Sequence, residues 1–131
     1  MRAPAAFVAT AGLVSIAACT ARGGDAFERE ASRIERALTA ASGTQLLERS
    51  TGQRNGLQVT HTWRLRAAGD WAPYAQGLEG AVSGSYRCSR EGTALHCSRS
   101  MPGDVLRLRV ASEAAAADGL VIRAELLGTP D

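Results

Sequence analysis

The sequence contains no lysine: all fifteen basic residues among its 131 positions are arginine. A guanidinium fork suits carboxylates and phosphates, but uniform replacement of lysine is most simply a codon bias that favours Arg and Ala. Aromatics are scarce, at 5%, and the formal net charge is only +2, too little to call for a polyanionic partner, so no nucleic acid is expected. Catalytic signatures are also missing. Two histidines occur, and there is no Gly-x-Ser-x-Gly elbow, His-Glu-x-x-His pair or glycine-rich phosphate loop. These absences predict a protein that is not an enzyme and carries no cofactor or metal. What remains is ordinary globular composition, 45% apolar and 21% charged, in a length suited to one domain.

The amino terminus holds the most specific signal. Met1-Arg2 gives a short positive start, and the run from Ala3 to Ile16 has no charge. As a helix that run would reach about 21 Å, short of the roughly 30 Å hydrocarbon core, so it reads as the apolar region of an export signal. Ile16-Ala17-Ala18-Cys19 follows and resembles the lipobox of bacterial lipoproteins: a branched apolar residue, two small residues that fit a narrow protease site, then cysteine. The resemblance covers about the first twenty residues and implies cleavage after Ala18 with acyl chains, palmitate among them, on Cys19. More than one chain makes anchoring in the bilayer effectively permanent. Thr20 stands where inner-membrane lipoproteins often carry Asp, so the resemblance implies the periplasmic face of the outer membrane. The expected organisation is signal peptide 1–18, lipidated tether 19–24 and a single domain 25–131.

Lipid on Cys19 leaves an even pair, Cys88 and Cys97. A four-residue hairpin loop from Glu91 to Ala94 would set Ser89 opposite His96 and Cys88 opposite Cys97, at the short Cβ separation a disulfide needs. A metal site of Cys88, Cys97 and His96 is the rival reading, at a spacing foreign to common zinc motifs.

Asp25 and Glu28 form a capping-box variant. Phe27, Ala31, Ile34, Leu38 and Ala41 recur at helical spacing, and Gly43 is placed to end the helix. Beyond it the period becomes two. A short strand is expected over Thr44 to Ser50, with a turn from Thr51 to Gly56. Leu57, Val59, His61, Trp63 and Leu65 alternate with polar residues, as do Val82 to Cys88, Leu95 to Arg99, Leu106 to Val110 and Leu120 to Leu126. The fold expected is α+β, with one N-terminal helix packed on an antiparallel meander of about five to six strands.

Two partner-binding features stand out. Arg64, Arg66, Arg107, Arg109 and Arg123 fall on the polar face of their strands with Glu125. They offer either a positive surface for an acidic protein, a phosphate or a peptidoglycan carboxylate, or an ordinary solvated sheet face. Gly69 to Gly80 reads as a glycine-bounded loop whose Trp71 and Tyr74 either anchor an interface or fold back into the core. The expected function is a non-catalytic binding, assembly or inhibitor protein of the envelope. It would meet the bilayer through acylated Cys19 and an envelope protein through these residues. A small-ligand or polymer module with a cleft near His61 and Trp63 is the alternative, and an enzyme built around a histidine is a third.

Overall fold

A computed structural model describes residues 22–54, 58–113 and 119–130. The expected signal peptide 1–18 and Cys19 lie outside the described residues. The chain falls into two compact units, Met1–Ser32 and Arg33–Asp131. The described part of the first is helical. Helix α1 (Arg22–Leu38) begins there and runs on into the second unit. It starts three residues before Asp25, the expected start, and so takes in Gly23 and Gly24, which were expected in the tether. It also ends before Ala41, with Gly43 at φ 83° just beyond. Phe27, Ala31, Ile34 and Leu38 are all buried, as their spacing required.

The second unit is an antiparallel six-stranded sheet with a further helix. Its elements are β1 (Gln45–Arg54), β2 (Gln58–Ala67), α2 (Trp71–Val82), β3 (Arg87–Glu91), β4 (Ala94–Met101), β5 (Asp104–Ser112) and β6 (Leu120–Pro130). The α+β class and antiparallel pairing are as expected. The simple meander is not: the spatial order is β1-β2-β6-β5-β4-β3, with β6 inserted between β2 and β5. The composition of β6 suits that central place. Leu120, Ile122, Ala124 and Leu126 are all buried on the inner face and Val121 on the other, which accords with a strand enclosed by neighbours on both sides.

Alternation sets the inner face. Trp63, Leu65, Leu95, Leu106, Leu108, Val110, Ile122 and Leu126 are all fully or almost fully buried there. Against them lie the last turns of α1 and the buried side of α2, Tyr74, Ala75, Leu78 and Val82. Glu35 Oε1 accepts a 2.9 Å hydrogen bond from Trp63 Nε1 and meets Arg49 Nε at 3.3 Å, so the indole is buried with its one donor satisfied. Arg49 reaches that carboxylate because a bulge between Leu46 and Glu48 shifts the β1–β2 register and turns the following residues over.

Local structure departs from expectation elsewhere too: β1 runs on to Arg54, through residues expected as a turn. The segment expected as a loop is α2. Pro73 sits in its first turn, where no intrahelical N–H is needed, and burial of Tyr74, Leu78 and Val82 outweighs the cost of Gly77 and Gly80. Val82 to Tyr86 is then the helix end and a turn, and the strand begins only at Arg87. Gly119 also has a fixed role. Its φ is 130°, and a Cβ there would stand 2.9 Å from the Ala67 carbonyl oxygen, where β6 starts alongside the end of β2.

Candidate functional site

The cystine hairpin carries one wall of the candidate site. Cys88 pairs with Cys97 and Ser89 with His96, and Glu91 pairs with Ala94 across Gly92-Thr93. The connection is thus a two-residue turn closed by the expected pair, with Gly92 at φ 59°, the left-handed conformation such hairpins require. Cys88 and Cys97 form a disulfide with Cα atoms 4.0 Å apart. Their sulfurs are spent on each other, and His96 lies on the opposite sheet face, so the rival metal ligand set does not assemble.

The outer face is best read in rows across the strands. One row runs Ser89, His96, Arg109, Glu125, Thr62 and Ser50; the next runs Arg87, Ser98, Arg107, Leu127, Thr60 and Gly52. Neighbours in a row are about 4.8 Å apart, and residues two apart on one strand about 6.7 Å. The β3-to-β6 portion of these rows lines a concavity of about 580 Å³, edged by Arg87, Ser89, His96, Ser98, Arg107, Arg109, Glu125 and Leu127. A second hollow of about 600 Å³ shares Arg87 and Ser98 with it and continues past the end of β3 along Ser85 and Ser100.

Charge is unevenly balanced in this trough. Three guanidiniums face one carboxylate. Arg87, Arg107 and Arg109 form no ion pair with any described residue, whereas elsewhere on the sheet Arg64 Nε is bonded to Glu113 Oε1 at 3.0 Å and Arg90 Nε meets Glu79 Oε1 at 3.3 Å. His96 Nε2 lies 3.9 Å from Glu91 Oε1, and both side chains are substantially exposed.

The expected partner-binding residues therefore separate. Arg107 and Arg109 lie together in the trough. Arg64 sits on β2, two strands from β5, paired with Glu113 and facing Arg123 of the adjacent β6. Arg66 is half-buried, and its Nε is shielded from water without a hydrogen-bond partner. Tyr74 is turned into the core, 7% exposed, with its hydroxyl donating at 2.7 Å to the Leu38 carbonyl. Desolvation pushes its phenol above the ordinary tyrosine range. That burial corrects its reading as an interface anchor, while Trp71, half-buried, tilts against it at 6.3 Å. Sequence reasoning missed Arg87, Ser89 and Ser98, although the correctly expected hairpin register already placed Ser89 beside His96.

The cleft imagined near His61 and Trp63 is occupied by protein. His61 stacks on Trp63 at 4.6 Å and lies 3.4 Å from the Thr51 hydroxyl, and the hollow touching Trp63 amounts to about 30 Å³. Among the described residues no group of three His, Cys, Asp or Glu side chains is placed to hold a metal ion, and no helix is long and apolar enough to cross a membrane. The chain matches no protein-family model, no curated protein and no solved structure.

Proposed function

We propose that this chain is a lipid-anchored protein of the bacterial envelope, held through Cys19 at the periplasmic face of the outer membrane, which binds an anionic partner in the arginine trough and does no chemistry on it. One observation carries the binding role: Arg87, Arg107 and Arg109 converge on a single concavity and form no ion pair with any described residue. Unpaired like charges on neighbouring strands cost stability, so a surface that needed only solubility would gain from interleaved carboxylates of the kind Arg64 and Arg90 have. The concavity also falls in the size range of ligand-accepting clefts.

The disulfide supports export. Such bonds persist in oxidising compartments, and the pairing of Cys88 with Cys97 leaves Cys19 as the odd cysteine, available for lipid. Anchoring and binding are tested separately. Cells supplied with labelled palmitate should mark the wild-type protein and not Cys19→Ser; an unlabelled wild type removes the anchor. Full-length protein in neutral detergent should bind fluorescent polyglutamate or polyphosphate more weakly as salt rises. The Arg107→Ala/Arg109→Ala variant should lose that binding. Equal retention of both probes by this variant removes the trough from the function.

A further inference from the structure

Granting the binding role just proposed, we infer that the trough takes an extended acidic segment of a protein partner, with two carboxylates two residues apart seated on Arg107 and Arg109. Those arginines stand at alternate positions of β5 and point to the same face, about 6.7 Å apart along the strand. An extended peptide repeats its own same-face side chains at the same interval. A segment running along β5 therefore brings its carboxylates into register with the two guanidiniums, each of which presents a planar fork to a planar acid.

Charge favours an acidic partner. Arg87, Arg107 and Arg109 outnumber Glu125, the one carboxylate of the lining. Glu125 lies directly opposite Arg109 on β6 and repels a denser anion. The lining fits a main chain better than a ring. Ser89 and Ser98 flank the arginine rows with small hydroxyls able to give or accept a peptide hydrogen bond. His96 is the one ring in the lining, so no Trp, Tyr or Phe face is present on which a base or sugar could stack.

Length points the same way. The second hollow opens where β4 runs on beyond β3, whose pairing stops at Arg87 with Ser98. A chain leaving Arg107 on that side therefore meets Ser100 and Ser85 rather than a closed wall. A compact ligand would have no use for that extension.

The test uses full-length protein in neutral detergent and two labelled nine-residue peptides of identical composition, otherwise serine, threonine and glycine. One carries two glutamates two positions apart; the other carries them adjacent, pointing to opposite sides. Anisotropy titrations should show the spaced peptide binding about tenfold more tightly, the value of one well-formed charged contact. Arg107→Ala and Arg109→Ala should each erase that preference, while Arg64→Ala leaves it within about twofold. Arg107→Glu/Arg109→Glu should transfer the preference to the matching spaced peptide with two lysines, which separates recognition from misfolding. Equal affinity for the two glutamate peptides overturns the inference. If neither glutamate peptide binds while polyphosphate still binds through Arg107 and Arg109, the acidic-segment assignment falls and the anion-binding role survives. Loss of every probe removes both.

Discussion

The two ends of the outer sheet face use one residue type in opposite ways. At the β1-β2-β6 end, Arg64 lies opposite Glu48 across the ladder and is bonded to Glu113, so the charge of that arginine is met from within the chain. At the β3-β4-β5 end, Arg87, Arg107 and Arg109 line a concavity with one carboxylate, and none of the three arginines forms an ion pair with a described residue. Alternation along each strand places every one of these arginines on the same face. Which of them find acids is decided by strand order and register, both long-range properties. The charge of a sheet face therefore has to be read row by row.

The sharpest way to break the comparison is to untie the uncompensated end. β3 is an edge strand held by β4 alone, and the Cys88–Cys97 bond pins it one residue from Arg87. The Cys88→Ala/Cys97→Ala variant should lose about 2.5 kcal/mol on the chain-entropy view of so short a loop, read as a lower denaturant midpoint. It should also bind polyglutamate less tightly, because Arg87 is no longer fixed. Full affinity in a clearly destabilised variant would show that the hairpin wall contributes nothing to the trough. Arg109→Ala is next, at about 1.4 kcal/mol of binding, or tenfold, with stability unchanged or slightly raised as repulsion from Arg107 is relieved. A loss of stability comparable to the loss of binding would mean that Arg109 is paired within the fold and that the two ends are alike.

Much of the fold was legible in the sequence, for local reasons. Period-two alternation gave β2, β5 and β6, and the Glu91-Gly92 turn gave the cystine register, because a short hairpin fixes its pairing through its own loop. Helix α2 was hidden behind Pro73, Gly77 and Gly80, which read as punctuation. The signal that could have found it is Tyr74, Leu78 and Val82 at intervals of four, the residues that are buried. The insertion of β6 between β2 and β5 is a non-local choice, although two-sided apolarity at Val121 and Ile122 hinted at it. The trough was half legible. Arg107 and Arg109 announce themselves on one strand, but Arg87 joins them only through pairings made in space.

A control lies beneath both ends. Tyr74→Phe removes the hydroxyl bonded to the Leu38 carbonyl and leaves that buried oxygen without its partner, so it should cost about 1 kcal/mol with no change in anion binding. Its pH dependence has a definite sign. Burial raises the phenol's pKa in the folded state, while in the unfolded chain it ionises near 10. The stabilisation is therefore complete below about pH 10 and lost as pH climbs beyond it toward the folded value. Denaturation midpoints of wild type should fall more steeply than those of Tyr74→Phe above that point. Parallel curves would mean that the phenol is as accessible folded as unfolded.

The smallest effect is expected at the compensated end. Arg64 and Glu113 are joined at 3.0 Å, but both side chains are a third or more exposed. Water and salt then screen the attraction, and ordering two long side chains offsets part of it. A double-mutant cycle of Arg64→Ala and Glu113→Ala should give a coupling of at most about 0.5 kcal/mol, shrinking further in high salt. Anion binding should be untouched in either single variant. If instead Glu113→Ala creates a second Arg64-dependent site for polyglutamate, internal pairing alone is what keeps that end silent. The difference between the two halves would then rest on one carboxylate rather than on the shape of the trough.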